Sequence, residues 1–276
     1  MTKNNSIQEL IKTALKEDIG KGDITTKLVL PQKKNVTAAI IAKEKGVLAG
    51  INIAQQVFYT LDKKLKFLAK QRDGNRIAPN TTIALVSGDA RSILTAERTA
   101  LNFMQHLSGI ATTTNKYVSA VKGTKAQILD TRKTIPGLRT LEKYAVRVSG
   151  GRNHRFGLDD MILIKANHIK TAGGIEPALL SAKKGNRKRL KLEIEVKNLG
   201  EVKTALSLNA RLIMLDNMGL KEMRKAVRLG KAKFEASGGI NLRNVRKVAK
   251  TGVDYISVGA LTHSAPALDI SLQILG

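Results

Sequence analysis

The sequence predicts an α/β protein in which a small α+β unit precedes a larger barrel of repeated β/α units. Two observations predict this fold class. Short apolar runs recur after residue 125, each separated from the next by a loop or by a segment of helix length, which is typical of β/α units around a parallel sheet. The chain also has 276 residues, 42 % of them hydrophobic, and is therefore long enough to bury a large core.

The first hundred residues mix helices with short strands. Residues 6–18 and 51–61 have helical spacing of their apolar side chains, and residues 36–50 are expected to form a strand and a turn. Short strands are predicted near 65–69 and 82–86, on either side of the turn-forming stretch DGNRIAPN. This part of the chain is therefore predicted to be a small α+β unit.

A long helix beginning near residue 92 is expected to lead out of this unit. Its apolar residues Leu94, Leu101, Met104 and Leu107 are spaced to form a buried stripe. We place the domain boundary near Gly109.

Six apolar runs are predicted to form the parallel strands, and a barrel is favoured over an open sheet. The runs are 126–130, 161–165, 190–196, 211–216, 233–237 and 253–259. They end in polar residues or glycine: Asp130, Lys165, Glu195, Asp216, Ser237 and Gly259. Because the carboxyl ends of barrel strands converge on one face, where active sites are built, we expect these residues to meet.

Glycines after the last two predicted strands indicate a phosphate site. The stretches EASGGI and ISVGAL place Gly238, Gly239 and Gly259 where backbone N–H groups, or a helix amino terminus, can approach a phosphate without side-chain obstruction. A single glycine pair is also an ordinary turn signal, so the argument depends on its repetition in consecutive units.

A second concentration of positive charge lies in DTRK (130–133), in SGGRNHRFGLDD (149–160) and at Lys165. Residues 131–170 contain nine lysines and arginines but only three acids. Those acids, Glu142, Asp159 and Asp160, could pair with some of the cations, and His154 alone could be a structural histidine. Since most of the cations would stay unpaired, and arginine can bind carboxylate or phosphate with two parallel hydrogen bonds, an anionic ligand is favoured.

Two carboxylates, Glu195 and Asp216, end neighbouring apolar runs in this cationic region. They are expected to hold Mg²⁺, to accept hydrogen bonds from sugar hydroxyls or to stabilise a developing cation. The alternative is that they form ion pairs with Lys165 or Lys133.

Composition excludes several other functions. The formal charge of +26 raises the question of a nucleic-acid partner, but aromatic residues make up only 3 % of the chain and tryptophan is absent, so nucleic acid is not expected. The absence of cysteine excludes disulfides, thiolate metal sites and a cysteine nucleophile. Without a long apolar run or a secretory signal, we expect a cytoplasmic protein with no membrane association.

Several long motifs, in order along the chain, resemble those of the decarboxylating quinolinate phosphoribosyltransferases, also called nicotinate-nucleotide pyrophosphorylases. They are EDIGKGDIT, TAERTALNFMQHLSGIAT, DTRKTIPGLRTLEKYAVRVSGGRNHRFGLDDMILIKANHI, LEIEV, LDNM, ASGGI and ISVGALTHSAPALDISL. The resemblance implies that the protein converts quinolinate and phosphoribosyl pyrophosphate into nicotinate mononucleotide, pyrophosphate and CO₂ with Mg²⁺, in NAD biosynthesis.

The resemblance also implies roles for individual residues. Lys133, Glu195 and Asp216 would be catalytic, and the two acids would also bind the metal. Arg98 would reach the site from the partner subunit of a homodimer, or of a larger assembly. Quinolinate would be bound by Arg132, His154, Arg155 and Lys165, while the remaining substrate-binding positions, mainly for phosphate, are Thr131, Ser237, Gly238, Gly239, Val258, Gly259, Ala260 and His263.

The fold implied by the resemblance is an incomplete parallel β/α barrel, residues 109–265, with an amino-terminal open-faced α/β sandwich, residues 1–108. The carboxyl-terminal segment 266–276, expected to be a helix, would complete the sandwich.

The sequence departs from the family pattern at two places. Ala166 replaces a common aspartate beside Lys165, while Ser149 and Arg152 stand at positions that are usually glycine or neutral.

Three alternatives remain: a related protein associated with molybdate uptake, a nicotinate-specific transferase, and a nucleic-acid-binding protein built on a retired enzyme scaffold. The complete TRK and NHR set argues against the first of these.

Overall fold

The computed structural model describes residues 3–275, so residues 1, 2 and 276 of the predicted domains lie outside the described part. The chain forms two compact units. The first comprises residues up to Thr113, Pro136–Ser149 and the residues from Ala265 onward. The second comprises Thr114–Ile135 and Gly150–Ser264.

The elements up to the start of the parallel sheet are α1 (Lys3–Ile19), α2 (Ile24–Val29), β1 (Asn35–Ala42), β2 (Gly46–Val47), α3 (Ile51–Leu61), β3 (Lys66–Ala69), β4 (Arg76–Ile77), β5 (Thr82–Asp89) and α4 (Ala90–Ala120). Those that follow are β6 (Gln127–Leu129), α5 (Arg139–Val148), β7 (Ile162–Ile164), α6 (Ala166–Thr171), α7 (Ile175–Gly185), β8 (Leu192–Val196), α8 (Leu199–Ser207), β9 (Leu212–Asp216), α9 (Leu220–Leu229), β10 (Lys233–Ser237), α10 (Val245–Ala249), β11 (Tyr255–Ser257), α11 (Ala260–His263) and β12 (Ile270–Leu275).

The first unit contains a four-stranded antiparallel sheet in the order β12-β1-β5-β3. The predicted helices and strands of this region are confirmed, and α3 has the bounds that the apolar spacing indicates. In α4, Leu101, Met104 and Leu107 are buried, whereas Leu94 is half-buried because Ile93 takes the core position there.

The prediction of a carboxyl-terminal helix is wrong, because residues 270–275 form strand β12. This strand pairs antiparallel with β1 from Ala42↔Ile270 to Thr37↔Leu275. The pairing supplies hydrogen-bond partners for an edge of β1 that would otherwise be open. The side chain of Gln105 on α4 also donates to the backbone oxygen of Ile270, at 2.8 Å, and so holds the start of the strand.

The second unit contains a six-stranded parallel sheet in the order β6-β11-β10-β9-β8-β7. All six apolar runs predicted as strands form it. The first strand lies beside the last one, which is the arrangement of a barrel, but β6 and β7 do not pair, so the ring is open between them. The predicted incomplete parallel barrel is thereby confirmed.

Amphipathic helices cover the outside of this sheet. In α9, Met223 and Ala226 are buried, whereas Lys221, Arg224 and Lys225 are exposed, as expected for a helix with one apolar stripe. The central strand β9 is apolar on both faces, with Ile213, Met214 and Leu215 all buried, which is typical of a covered parallel strand.

None of the described helices combines the length and the apolar character that crossing a membrane would require.

Candidate active site

A cavity of about 650 Å³ lies at the carboxyl ends of the parallel strands. With the exception of Arg98, every site residue predicted from the sequence lines it. These residues are Thr131, Arg132, Lys133, His154, Arg155, Lys165, Glu195, Asp216, Ser237, Gly238, Gly239, Val258, Gly259, Ala260 and His263. The convergence of strand ends that the sequence indicates is therefore present in the second unit.

Arg98 is an exposed residue of α4 in the first unit and is not among the residues that line this cavity. Its predicted place in a shared site concerns a partner subunit and stays a prediction.

A buried aspartate fixes the loop that carries the NHR sequence. Asp130, at the carboxyl end of β6, is fully buried and accepts hydrogen bonds from the side chain of Asn153, at 2.5 Å, and from the backbone N–H of His154, at 2.8 Å. The backbone of Arg152 also bridges to Leu129 in β6. The loop is therefore held in the register that brings His154 and Arg155 to the cavity.

Both ring nitrogens of His154 have partners within the protein. Its Nδ1 accepts the backbone N–H of Arg155 at 2.7 Å, and its Nε2 lies 3.1 Å from Oε2 of Glu193 and 3.6 Å from Oε2 of Glu235. Because Nδ1 acts as an acceptor, the ring proton resides on Nε2 and points to the glutamates. The imidazole thus connects the cation-bearing loop to the interior of the barrel.

Two buried glutamates that were not predicted as site residues, Glu193 and Glu235, lie beneath this arrangement. They are 0 % and 1 % exposed. Burial raises the pKa of each carboxyl to about 8, and the nearby charge of Glu193 raises that of Glu235 further. Oε1 of each carboxyl is buried without a hydrogen-bond partner among the described residues. At neutral pH these carboxyls are therefore mainly protonated.

Strand periodicity could have revealed these glutamates. Glu193 stands two residues before Glu195, and Glu235 stands two residues before Ser237. Residues i and i+2 of a strand point to the same face. Because Glu195 and Ser237 reach the cavity, Glu193 and Glu235, two residues earlier, must also point into the barrel. Met214 and Asp216 follow the same rule, and both line the cavity.

The guanidinium of Arg155 is held among charges of both signs. The residue is only 8 % exposed, and its Nη1 donates to the backbone oxygen of Met161 at 3.1 Å. Burial lowers the pKa of Arg155, nearby Arg132 lowers it further, and Glu193 with Asp160 opposes both effects. This arginine stays charged and is oriented before any ligand arrives.

Lys165 and Glu195 are close but form only a weak ion pair. Lys165 Nζ lies 3.9 Å from Glu195 Oε2, and the lysine side chain is 51 % exposed, so the pair contributes little to stability. Glu195 Oε1 also accepts the backbone N–H of Ala166 at 3.3 Å. Ala166 thus contacts Glu195 through its backbone, and Lys165 remains available for a ligand.

Two of the glycines at the cavity lie in crowded places. Gly238 has φ +91°, and a β-carbon there would lie 2.2 Å from Oδ1 of Asn217. A β-carbon on Gly259 would lie 3.1 Å from the side chains of both Lys133 and His263. A side chain is therefore excluded at Gly238 and would crowd its neighbours at Gly259, which suits a phosphate cradle of exposed backbone.

Glu195 and Asp216 are the residues that fit a magnesium ion. They end adjacent strands, β8 and β9, and line one cavity with half-buried carboxylates, and carboxylate oxygen is the ligand type that Mg²⁺ prefers. The cluster of His154, Glu193 and Glu235 also brings its ligand atoms within 4.8 Å of one another. Its carboxyls have raised pKa values, so protons compete with a cation for these oxygens at neutral pH.

The fold and the cavity together define a class of protein: a β/α-barrel protein whose strand ends form a cationic, glycine-lined anion site beside two carboxylates. Such an arrangement can hold a doubly charged small molecule next to a phosphorylated one.

Comparison with known proteins shows the particular family. A family model described as "Quinolinate phosphoribosyl transferase, C-terminal domain" matches residues 110–273, and the model of the corresponding N-terminal domain matches residues 23–108. The chain belongs to the quinolinate phosphoribosyl transferase family.

Individual relatives agree with this assignment. The chain is 43 % identical over 266 residues to a probable nicotinate-nucleotide pyrophosphorylase [carboxylating] of Synechocystis, a match that covers 95 % of this chain and 90 % of the relative. It is 43 % identical over 281 residues to the Mycobacterium leprae nicotinate-nucleotide pyrophosphorylase [carboxylating], covering 98 % of each. The solved structure of the nicotinate-nucleotide pyrophosphorylase from Francisella tularensis has a TM-score of 0.95 and 44 % identity, covering 100 % of this chain and 98 % of that one.

Proposed function

We propose that this protein is a quinolinate phosphoribosyltransferase that forms nicotinate mononucleotide, pyrophosphate and CO₂ from quinolinate and phosphoribosyl pyrophosphate, as part of NAD biosynthesis. The observation that carries the proposal is the single cavity that gathers the cations, carboxylates and glycines predicted from the sequence. Family membership and the names of the relatives support the same reaction.

Quinolinate carries two adjacent carboxylates, and the cations of the cavity suit such a ligand. Arg132, Arg155 and Lys165 line it, and Arg155 has its guanidinium already oriented by Met161 and flanked by fixed charges. A preorganised cation binds a carboxylate without the entropic cost of ordering a flexible side chain. We assign the dicarboxylate to this side of the cavity, with His154 as the group that holds the loop.

Phosphoribosyl pyrophosphate suits the glycine-rich side. Gly238, Gly239 and Gly259 offer backbone N–H groups without side-chain obstruction, beside Ser237 and His263. Lys133 contacts this region, because its backbone oxygen accepts the hydroxyl of Thr262 at 2.6 Å and its side chain adjoins Gly259. These contacts support a role for Lys133 in binding phosphoribosyl pyrophosphate, and we assign it a position near quinolinate as well.

Glu195 and Asp216 would hold Mg²⁺, which when bound neutralises negative charge on the pyrophosphate group. The same carboxylates face the ribose and can stabilise positive charge that develops at its C1 atom. Lys133 adds a fixed positive charge for the departing pyrophosphate.

The reaction needs no covalent enzyme nucleophile. The pyridine nitrogen attacks C1 of the ribose as the bond to pyrophosphate breaks, and the carboxylate next to the now quaternary nitrogen leaves as CO₂. The nitrogen's positive charge stabilises the carbanion left behind, which is then protonated. The contribution of the protein is mainly orientation of the two substrates and electrostatic stabilisation.

We further propose that the enzyme works as a homodimer, in which Arg98 of one subunit reaches the substrate site of the other. The exposed position of Arg98 on α4 agrees with such a role. A larger assembly built from this dimer and a cytoplasmic location stay predictions from the sequence.

A turnover assay tests the proposed function. Purified protein is supplied with phosphoribosyl pyrophosphate, Mg²⁺ and either quinolinate or nicotinate, and pyrophosphate and CO₂ are measured. We expect turnover with quinolinate, with equal amounts of both products, and little or none with nicotinate, which lacks one carboxylate. Preference for nicotinate, or pyrophosphate release without CO₂, would contradict the proposal.

A further inference from the structure

A second cavity, of about 1060 Å³, opens at the other end of the parallel sheet. It is lined by the amino ends of strands β8 to β11 and by the loops that precede β8 and β9. His154, Arg155 and Glu235 line both this cavity and the candidate active site, so a layer of side chains separates the two. We refer to it as the lower cavity.

Basic residues dominate the lining of the lower cavity. Seven lysines and arginines line it, against the two acids Asp160 and Glu235. Lys233 is paired with Asp254 at 2.7 Å, and Arg155 is buried and donates to the backbone oxygen of Met161. Within residues 3–275, the other five have no ion pair: Arg152, Lys183, Arg189, Lys191 and Arg211.

Hydrogen bonds brace the loop that carries two of these cations. Asn186 donates from its side chain to the backbone oxygen of Leu190 at 2.8 Å and accepts the backbone N–H of Leu190 at 2.9 Å. Between them, Arg189 has φ +51°, a left-handed conformation that is uncommon for a residue other than glycine or asparagine. Strained backbone of this kind persists where surrounding contacts impose it and is frequent at ligand sites.

A lysine links this loop region to the neighbouring one. The ammonium of Lys183, at the end of α7, donates to the backbone oxygens of Leu208 and Asn209 in the loop before β9. Arg211 follows in that loop, so the cations from the two loops are held around one opening. The backbone of the two loops is thus connected by contacts within the protein.

A general surplus of charge does not by itself explain this arrangement. The chain carries 48 lysines and arginines, and many of them are solvated on convex surfaces such as the outer face of α9. Cations gathered around a concavity instead concentrate the electrostatic potential and attract anions. The volume is close to that of small-molecule sites, about 300–1,000 Å³, which favours a compact ligand over a nucleic-acid strand.

We propose that the lower cavity binds a compact polyanion with a chain of phosphate groups, such as tripolyphosphate or a nucleoside triphosphate. This site is separate from the proposed catalytic function and would account for the basic run KKGNRKRLK, residues 183–191. Tripolyphosphate and nucleoside triphosphate share the phosphate chain, and a nucleoside could additionally contact Tyr255, which is half-buried in the lining.

The test is calorimetric titration of the full chain with tripolyphosphate. The variant R189Q/K191Q/R211Q removes three exposed charges without altering backbone contacts, and we expect it to weaken one binding event about tenfold or more. The variant K221Q/R224Q/K225Q removes three exposed charges from α9 and should leave that event unchanged. Tripolyphosphate could also bind in the active site. Binding there should be weakened by K133A, and binding in the lower cavity should not.

A parallel titration with adenosine triphosphate distinguishes the two sources of the phosphate chain, because only nucleotide binding should weaken further in Y255L.

The proposal is overturned if wild-type protein shows no event that R189Q/K191Q/R211Q weakens, or if the α9 variant loses as much affinity. It is also overturned if single-stranded polynucleotide binds these loops more tightly than tripolyphosphate does. Turnover of R189Q/K191Q/R211Q should equal that of wild type, so failure of the proposed function would be seen separately.

Discussion

His154 accepts, through Nδ1, the backbone N–H of Arg155 at 2.7 Å. This contact between consecutive residues means that the imidazole faces its own loop on one side and the buried Glu193 on the other, at 3.1 Å. The histidine therefore acts first on the position of Arg155, and only through it on a bound dicarboxylate.

Two substitutions of His154 separate these roles. Asparagine places an acceptor near Nδ1, whereas glutamine places a donor near Nε2. We expect H154N to retain more quinolinate affinity than H154Q, by about fivefold, since one hydrogen bond contributes roughly 1 kcal/mol. The KM for quinolinate measures this effect, with the KM for phosphoribosyl pyrophosphate as the control. If H154Q is the better variant, Nε2 is the important atom, and the contact of His154 with Glu193 and Glu235 matters more than its contact with Arg155.

The buried pair Glu193 and Glu235 should make stability depend on pH. Burial raises the pKa of each carboxyl from 4.5 to about 8 in the folded chain. Between these two pH values the folded state holds protons that the unfolded state releases, so the pair destabilises the fold increasingly as pH rises from 4.5 towards 8. E235Q removes one of these groups and should flatten the fall in stability by about 1 kcal/mol or more between pH 5 and 8.

Thermal unfolding across this pH range provides the measurement. E176Q, which removes an exposed carboxylate from α7, is the matched control and should keep the wild-type slope. An unchanged slope in E235Q would mean that the pair is ionised in the folded protein.

The parallel strands were predictable because each is short, apolar and bounded by polar residues. The continuous apolar run in β9, for example, is stable only in a strand that is covered on both faces. The last strand was not predictable in the same way. Residues 270–275 are stabilised as β12 by pairing with β1, more than 220 residues earlier in the chain, and local sequence does not contain that partner.

The site was predictable where residues end strands, since strand ends converge. The site was less predictable below the strand ends, at Glu193 and Glu235. Burying an acid within an apolar strand is unfavourable unless a partner compensates it, and the sequence does not show that partner. The raised pKa values of Glu193 and Glu235 and their contact with His154 depend on the packing of three separate segments. The hydrogen bond between Asp130 and the side chain of Asn153 could not be predicted from the sequence for the same reason.

Gly238 should tolerate no side chain. In G238A the new β-carbon meets Asn217 at 2.2 Å, so the loop must shift, and we expect kcat/KM for phosphoribosyl pyrophosphate to fall about tenfold or more. G173A is the control for backbone strain alone, because Gly173 has φ +84° with nothing within 4 Å. It should cost only about 1 kcal/mol of stability and no activity. Equal effects of the two substitutions would show that the close contact with Asn217 is unimportant.

Glu195 and Asp216 should matter for rate more than for stability. E195Q and D216N keep the shape of each side chain but remove its charge, and we expect turnover to fall about a hundredfold. The melting temperature should change little, since the Lys165–Glu195 contact of 3.9 Å is weak and largely exposed. Both variants should also need more Mg²⁺ for half-maximal rate. A loss of stability that matches the loss of rate would instead support the ion-pair interpretation.

Arg98 is the predicted site residue that does not line the cavity of its own chain, and a shared site makes a quantitative prediction about it. R98A and K133A should each be inactive alone, because one lacks the contributed arginine and the other lacks the barrel lysine. After subunit exchange, half of the dimers are hybrids, and each hybrid has one site with both lesions and one site with neither. The mixture should therefore recover about a quarter of wild-type activity.

Exchange is verified by native mass spectrometry of differently tagged subunits, with a mixture of K133A and D216N as the control. These two lesions lie in the same unit, so their hybrids contain no intact site. Proven exchange without recovered activity would show that Arg98 does not act across subunits.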